Sequence, residues 1–144
     1  MDTVHYYETS IDWKEGRIGE ISAPGMKNLE VATPPEFNKG VAGIWSPEHL
    51  YVASANICLM TTFLAIAENS KLDFKSYSCK AMGKLEKVEG KFMMSEIDLN
   101  PRVVLPAGAD AERAKRIVEK SEANCLISNS MKTKINLNIE IVFE

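Results

Sequence analysis

The chain has 144 residues, of which 45% are hydrophobic and 26% are charged, and its formal net charge is -3. This length and apolar content predict a single domain, residues 1–144, with a modest hydrophobic core. Lysine and arginine are spread along the chain rather than gathered into blocks. We therefore expect no nucleic-acid partner.

The N-terminal sequence lacks the basic start and apolar run of a secretory signal and carries an acid at Asp2. We therefore expect a cytoplasmic protein. Its three cysteines, Cys58, Cys79 and Cys125, are too few for a disulfide scaffold, and its two histidines are too few for a His-rich metal site. We expect neither a metal nor a cofactor.

One uncharged segment, Leu50–Ala67, is close to the minimum length that spans a bilayer. Polar residues such as Ser54, Asn56 and Thr61 dilute its hydrophobicity, and no basic cluster flanks it. We interpret it as a helix buried inside protein and expect no membrane association.

The first third of the chain predicts a β-meander. Val4–Trp13 is rich in aromatic and β-branched residues, and the chain turns at Lys14-Glu15-Gly16 and returns over Arg17–Ser22. A third strand over Leu29–Thr33 ends at Pro34-Pro35, which removes backbone donors.

A long helix is predicted after the meander. Ser46 supplies a capping hydroxyl, Pro47 suits the first helical position, and Glu48 places an acid in the first turn. The helix should run to about Asn69. Because it is apolar on most sides, it should be covered by a sheet and by another helix.

Two longer strands, Phe74–Leu85 and Phe92–Leu105, should form a hairpin that turns at Val88–Lys91. Asp110 should cap a second helix. Strict alternation over Ile135–Phe143 predicts a final half-buried strand. One face of the second helix carries Ala114, Ile117, Val118, Ser121 and Cys125. The predicted order is β-β-β-α-β-β-α-β, an α+β fold.

No single cysteine is persuasive by itself. Cys58 lies midway along the apolar helix, where a cysteine is ordinarily a small core residue. Cys125 lies at the end of the second helix on its apolar face, and two packed helices could bring the two thiols within disulfide distance. Cys79 lies in a strand, and we interpret it as a bystander.

Several motifs, taken together, resemble the OsmC/Ohr family of thiol peroxidases. The segment 37–58, FNKGVAGIWSPEHLYVASANIC, is similar to the family's pattern of a Gly loop, Pro-Glu and a helical cysteine. Gly16–Gly19 is similar to its GRxG turn, which holds an active-site arginine. Cys125–Asn129 is similar to its motif C-P-x-S-N, although Leu126 replaces the usual proline and Ser46 stands where asparagine is common.

The resemblance implies an OsmC-like fold with antiparallel sheets around two central helices and an intertwined homodimer. It also implies a cysteine-dependent peroxidase for hydroperoxides, preferably organic ones. Cys58 would become a sulfenic acid and condense with Cys125 to a disulfide, which a dithiol, lipoyl-type in the family, would reduce.

By the same resemblance, Arg17 would favour the Cys58 thiolate and Glu48 would orient Arg17. A thiolate in an apolar helix needs such a cation, because the helix N-terminus is too distant to stabilise it. Ten helical residues rise about 15 Å, so Glu48 and Cys58 of one chain cannot share one small site. We infer that Arg17 and Glu48 come from the partner subunit. From the residues alone, a solvated turn for Arg17 and an ordinary first helical turn for Glu48 are the favoured interpretations, and the resemblance reverses that preference.

Two other functions remain open at this point. The same scaffold could hold an apolar or thiol ligand between its helices with little turnover, or it could be a structural dimer whose cysteines are core residues. Six apolar residues near the motifs could favour an organic peroxide, although such residues ordinarily belong to a core: Phe37, Trp45, Met60, Phe63, Leu126 and Met131.

Overall fold

The structure is a computed structural model that describes residues 3–144, so Asp2 lies outside the described residues. The chain divides into two compact units, one ending at Leu50 and the other beginning at Tyr51. Each unit is described separately below. The assignment of residues 1–144 to one domain stays a prediction.

The first unit contains a three-stranded antiparallel sheet in the order β1 (Ser10–Glu15), β2 (Ile18–Ser22) and β3 (Leu29–Ala32). The predicted meander is therefore confirmed, with a shorter first strand. Tyr6 and Tyr7 precede β1 and are each 91% exposed, so aromatic content there does not reflect burial in a sheet.

Helix α1 (Pro47–Asn69) begins at the predicted residue. The buried Ser46 caps it, because its Oγ accepts the backbone N–H of His49 at 3.1 Å. The helix ends where Lys71 adopts a left-handed conformation with a φ of 55° and the Leu72 N–H returns to the Ala67 carbonyl.

The second unit is built on the hairpin of β4 (Ser76–Val88) and β5 (Lys91–Leu105). The hairpin turns at Glu89 and Gly90, both with positive φ (51° and 81°), which suits the twist of a tight hairpin. The predicted hairpin and its turn are confirmed.

The sheet of the second unit is mixed, which corrects the expectation of antiparallel sheets. The single final strand predicted over 135–143 is two short strands, β6 (Lys134–Leu137) and β7 (Glu140–Phe143), each parallel to β5. The break lies opposite Pro101 of β5, between the pairs Leu99–Leu137 and Arg102–Glu140. Proline has no backbone N–H, so the parallel ladder cannot continue past it.

Helix α2 (Ala111–Ala123) is capped by Asp110, whose carboxylate accepts the Arg113 N–H at 3.1 Å, as predicted. A short helix that was not predicted, α3 (Leu126–Asn129), follows directly. The observed order is β-β-β-α-β-β-α-α-β-β, which keeps the predicted α+β class.

The core of the second unit lies between the hairpin and the helices, with Phe63, Leu105 and Val118 in one cluster and Leu59 and Leu99 in another. At Gly83 of β4, a Cβ atom would collide with the Val52 side chain of α1. Glycine at this position therefore allows α1 to approach the sheet closely.

Helix α1 is long and apolar enough to cross a membrane, with a mean hydropathy of 1.8 over its most apolar window. Core helices of soluble proteins also meet this criterion. Ala55, Leu59 and Phe63 are fully buried in the second unit, as in a core helix, whereas Ile57 and Leu64 on the same helix remain 57% and 40% exposed. This helix therefore has one packed side and one exposed apolar side.

Candidate active site

Cys58 and Cys125 meet inside the second unit. Cys58, on α1, is 7% exposed, and Cys125, between α2 and α3, is fully buried. Both are free thiols, and their side chains are hydrogen-bonding partners. The structure thus brings together the two cysteines that the sequence singled out.

The surroundings of Cys58 favour its thiolate. Burial raises the pKa of the Cys58 thiol, but hydrogen bonds from Cys125, from the Ile127 and Leu126 amides, and from the Thr62 hydroxyl together bring that pKa below its ordinary value. The Thr62 oxygen lies 3.9 Å from the sulfur. Neutral donors therefore lower the pKa of the Cys58 thiol without any cation in the second unit, and the expected contribution of Arg17 stays a prediction.

These donors come from the way Cys125 begins α3. The Cys125 sulfur caps the helix and accepts the Ser128 N–H at 3.5 Å. The first amides of α3, those of Leu126 and Ile127, then have no partner within the helix and hydrogen-bond to Cys58. In the sequence, only the segment Cys125–Asn129 pointed to this arrangement. Its signal for the start of a helix is short and weak.

Cys125 differs from Cys58 in acidity. Burial raises the pKa of the Cys125 thiol and the neighbouring Cys58 raises it further, while Ser128 opposes both effects. The pair is therefore asymmetric, because the pKa of the Cys58 thiol is lowered, that of the Cys125 thiol is raised, and the Cys125 thiol donates to the Cys58 sulfur. This difference in acidity suits a reaction in which one thiolate attacks and a second thiol then closes a disulfide.

Cys79 has a different environment. It lies on β4, where burial raises the pKa of its thiol and its sulfur approaches the Lys80 carbonyl at 3.8 Å. A protonated thiol is a poor nucleophile, which agrees with its interpretation as a bystander. Within residues 3–144, no cluster of three or more His, Cys, Asp or Glu side chains could hold a metal ion.

Arg17 and Glu48 lie in the first unit. Arg17 is exposed in the turn between β1 and β2, beside a cavity of about 300 Å³. Its side chain makes no hydrogen bond or ion pair with any residue that the structure describes. Glu48 is half-buried, and its Oε1 is buried without a hydrogen-bond partner in the described part of the chain. Both residues are thus available to a partner.

The six apolar residues near the motifs divide into core and surface. Phe63 is fully buried and stacks on Tyr77, and Met131 packs against the core, so neither is open to a substrate. Met60 is 38% exposed and lines a groove of about 150 Å³ with Tyr77 and Cys79, and Leu126 is 67% exposed beside Cys125.

In the first unit, Trp45 is 49% exposed and lines a separate cavity of about 250 Å³, and Phe37 is half-buried. Of the six residues, Met60 and Leu126 are the exposed ones in the unit that holds the cysteines.

An α+β fold with two hydrogen-bonded free thiols of unequal acidity defines a protein with a buried two-cysteine site. The chain belongs to the OsmC-like protein family, whose sequence model matches residues 40–140. The resemblance to the OsmC/Ohr family and the α+β fold class are therefore confirmed.

Relatives match nearly the whole chain. It is 27% identical over 133 residues to the peroxiredoxin OsmC of Escherichia coli (strain K12), covering 90% of each chain. It is 25% identical over 141 residues to the uncharacterized protein YmaD of Bacillus subtilis (strain 168), covering 94% of this chain and 93% of the relative. The family thus includes proteins of redox function and proteins without an assigned one.

Solved structures show the same fold. An OsmC-like protein of unknown function from Vibrio cholerae superposes with a TM-score of 0.87 at 23% identity, over 94% of this chain and 99% of the other. An organic hydroperoxide resistance protein from Elizabethkingia anophelis superposes with a TM-score of 0.79 at 21% identity, over the whole of both chains.

Proposed function

We propose that this protein is a cytoplasmic, cysteine-dependent peroxidase that reduces hydroperoxides, preferably organic ones, with Cys58 as the attacking thiol and Cys125 as the resolving thiol. The observation that carries the proposal is the hydrogen bond between two free thiols, one with a lowered and the other with a raised pKa. Exposed Met60 and Leu126 favour an apolar substrate.

The reaction proceeds in three balanced steps. The Cys58 thiolate attacks a peroxide oxygen, the O–O bond breaks, and an alcohol leaves after taking a proton, so that Cys58 becomes a sulfenic acid. Cys125 then attacks the Cys58 sulfur, the S–O bond breaks, and water leaves as the disulfide forms. A dithiol, lipoyl-type by analogy with the family, reduces this disulfide and is itself oxidised to a disulfide.

Arg17 and Glu48 complete the site from the partner subunit of a homodimer. Three observations support this: the unpartnered buried oxygen of Glu48, the exposed Arg17, and the exposed apolar side of α1 around Ile57 and Leu64. An exposed apolar side on a helix is typical of an interface. In that dimer, the Arg17 guanidinium binds the peroxide, and the Glu48 carboxylate orients the guanidinium.

A second candidate function is the binding of an apolar or thiol ligand with little turnover. The groove of about 150 Å³ beside α1, lined in part by Ile57, Met60 and Tyr77, is the observation that favours it. In that function the two thiols would hold or sense a ligand rather than consume peroxide.

The deciding experiment exposes the reduced protein to one equivalent of cumene hydroperoxide and maps its peptides without reduction. The expected product is a Cys58–Cys125 crosslink, formed equally in a Cys79→Ser control and absent from Cys125→Ser, which stops at the sulfenic acid. Peroxide consumption should then continue with a dithiol. If Cys58 and Cys125 remain free thiols after treatment with the oxidant, the proposed peroxidase function is rejected. An apolar ligand that co-purifies with the protein would support the ligand-binding function.

A further inference from the structure

A cluster of buried polar atoms lies behind Cys125 in the second unit. Among residues 3–144, four buried side-chain oxygens lack a hydrogen bond of regular geometry, and three of them belong to this cluster: Tyr77 Oη, Glu122 Oε2 and Ser128 Oγ. Buried polar atoms are hydrogen-bonded in the great majority of cases. Their concentration beside the Cys125 thiol therefore indicates a role beyond packing.

The backbone fixes Cys125 between Glu122 and Ser128. The Cys125 N–H donates to the Glu122 carbonyl at 3.1 Å, and the Ser128 N–H donates to the Cys125 sulfur at 3.5 Å. The Ser128 hydroxyl interacts both with the Glu122 carboxyl group and with the Cys125 thiol. The Ser128 hydroxyl thus lies near both the sulfur and the carboxyl group and lowers the pKa of each, although it makes no hydrogen bond of regular geometry within the described chain.

The environment of Glu122 suits proton transfer. Burial raises the pKa of its carboxyl group, and the Ser128 hydroxyl only partly opposes that effect. The ion pairs within the described chain do not include Glu122. Tyr77 and Cys79 of β4 face it and carry no charge at neutral pH, because burial raises the pKa of both. A carboxyl group whose pKa is raised above its ordinary value is a better proton acceptor than a solvated glutamate.

We propose that Glu122, acting through the Ser128 hydroxyl, is the positioning residue that accepts the proton of Cys125 when Cys125 closes the disulfide, and returns it when the disulfide is reduced. This inference rests on the proposed function of the cysteine pair. It assigns a role to a glutamate that the sequence motifs do not include.

The proton balance is complete in both directions. During closure, the Cys125 proton passes to Ser128 while the Ser128 proton passes to Glu122, and the resulting Cys125 thiolate attacks the Cys58 sulfur. The departing hydroxide takes a proton from solvent and leaves as water. During reduction, a dithiol attacks the Cys58 sulfur, Cys125 leaves with the bonding electron pair, and Glu122 returns a proton to it through Ser128.

The test measures peroxide attack and disulfide closure separately in Glu122→Gln. The matched control is Glu119→Gln, which changes an exposed glutamate of α2. After rapid mixing with cumene hydroperoxide, sulfenic acid formation should stay within about twofold of wild type, whereas closure at neutral pH should slow by roughly tenfold to a hundredfold. Ser128→Ala should slow closure in the same way, and Glu122→Asp should recover part of the rate.

The pH profile distinguishes proton transfer from a structural effect. In Glu122→Gln the closure rate should rise with pH and approach the wild-type rate at alkaline pH, where Cys125 ionises without help. A Glu122→Gln variant with the wild-type rate, or with a lower rate and an unchanged pH profile, would overturn the proposal.

A second measurement does not require peroxidase activity. Methyl methanethiosulfonate places a methylthio group on Cys58, and attack by Cys125 then forms the disulfide and releases methanethiol, which mass spectrometry follows. The rate of closure should again be lowered in Glu122→Gln and Ser128→Ala and partly recovered in Glu122→Asp. A wild-type protein that consumes no peroxide but closes this mixed disulfide in a Glu122-dependent way would reject the proposed function alone, whereas closure independent of Glu122 would reject this inference.

Discussion

Leu126 provides a backbone N–H where the OsmC/Ohr pattern has a proline. This N–H is one of the donors that lower the pKa of the Cys58 thiol. Proline suits the first position of a helix, so Leu126→Pro should remove the donor while keeping α3. With that donor lost, the Cys58 pKa should rise, the thiolate fraction at neutral pH should fall, and Cys58 should react about twofold to fivefold more slowly with iodoacetamide.

The matched control is Leu126→Ala, which shortens the same exposed side chain and keeps the N–H. Alkylation of Cys58, followed by peptide mass spectrometry across a range of pH, should give this control the wild-type profile and shift only the proline variant to higher pH. Identical profiles for the two variants would show that the amide of residue 126 does not contribute.

The residues of the site were predictable only in part. Cys58 and Cys125 were recognisable because each lies in a local motif. The donors from Leu126 and Ile127 were not, because they depend on α3 lying beside α1, a contact between segments far apart in the sequence. Glu122 gave no signal, since a glutamate near a helix end is ordinarily solvated.

At the scale of elements, the features with local causes were predictable. Ser46 and Asp110 cap their helices, and the Glu89-Gly90 turn closes the hairpin, each through contacts between close neighbours in the sequence. The division of the last strand was not predictable, because the alternation of its side chains continues through it. Its cause is Pro101 on another strand, and strand pairing is a long-range property.

The contact of α1 with β4 depends on Gly83. An alanine there would bring its Cβ against the side chains of Val52 and Met94. Met94 is flexible, but a valine in a helix has essentially one rotamer and cannot turn away. Gly83→Ala should therefore lower the free energy of unfolding by about 1–3 kcal/mol, as is typical of overpacking, in urea denaturation.

The cause can be isolated by repeating the substitution in a Val52→Ala background. Removal of the two valine methyl groups opens the space that the new Cβ needs, so the cost of Gly83→Ala should fall by at least about 0.5 kcal/mol. An equal cost in both backgrounds would mean that strand flexibility, rather than the approach of α1, accounts for glycine at this position.

At the scale of the whole molecule, the described chain has groups that the proposed partner subunit would satisfy. Glu48 Oε1 is buried without a hydrogen-bond partner, and Ile57, Met60 and Leu64 expose apolar surface along α1. A closed twofold dimer would present the same surface from both subunits and bury it against itself. In the proposed dimer, Arg17 and Glu48 of one subunit would lie beside the cysteines of the other.

Complementation between two inactive variants tests whether Arg17 and Glu48 act on the cysteines of the partner subunit. Arg17→Ala chains keep both cysteines, whereas Cys58→Ser chains keep Arg17 and Glu48, so each homodimer should have little peroxidase activity. When equal amounts are unfolded, mixed and refolded, about half of the dimers should contain one chain of each kind, and each mixed dimer should have one intact site of two. Activity with cumene hydroperoxide and a dithiol should therefore return to about a quarter of the wild-type value.

The control mixes Arg17→Ala chains with chains that carry both substitutions. Mixed dimers form in the same proportion, but no site has both Cys58 and a partner's Arg17, so activity should stay at the level of the separate variants. If the first mixture also recovers nothing while native mass spectrometry shows that mixed dimers have formed, Arg17 acts within its own chain. Recovery in the first mixture alone requires that a working site be shared, because no chain in that mixture carries both Arg17 and Cys58.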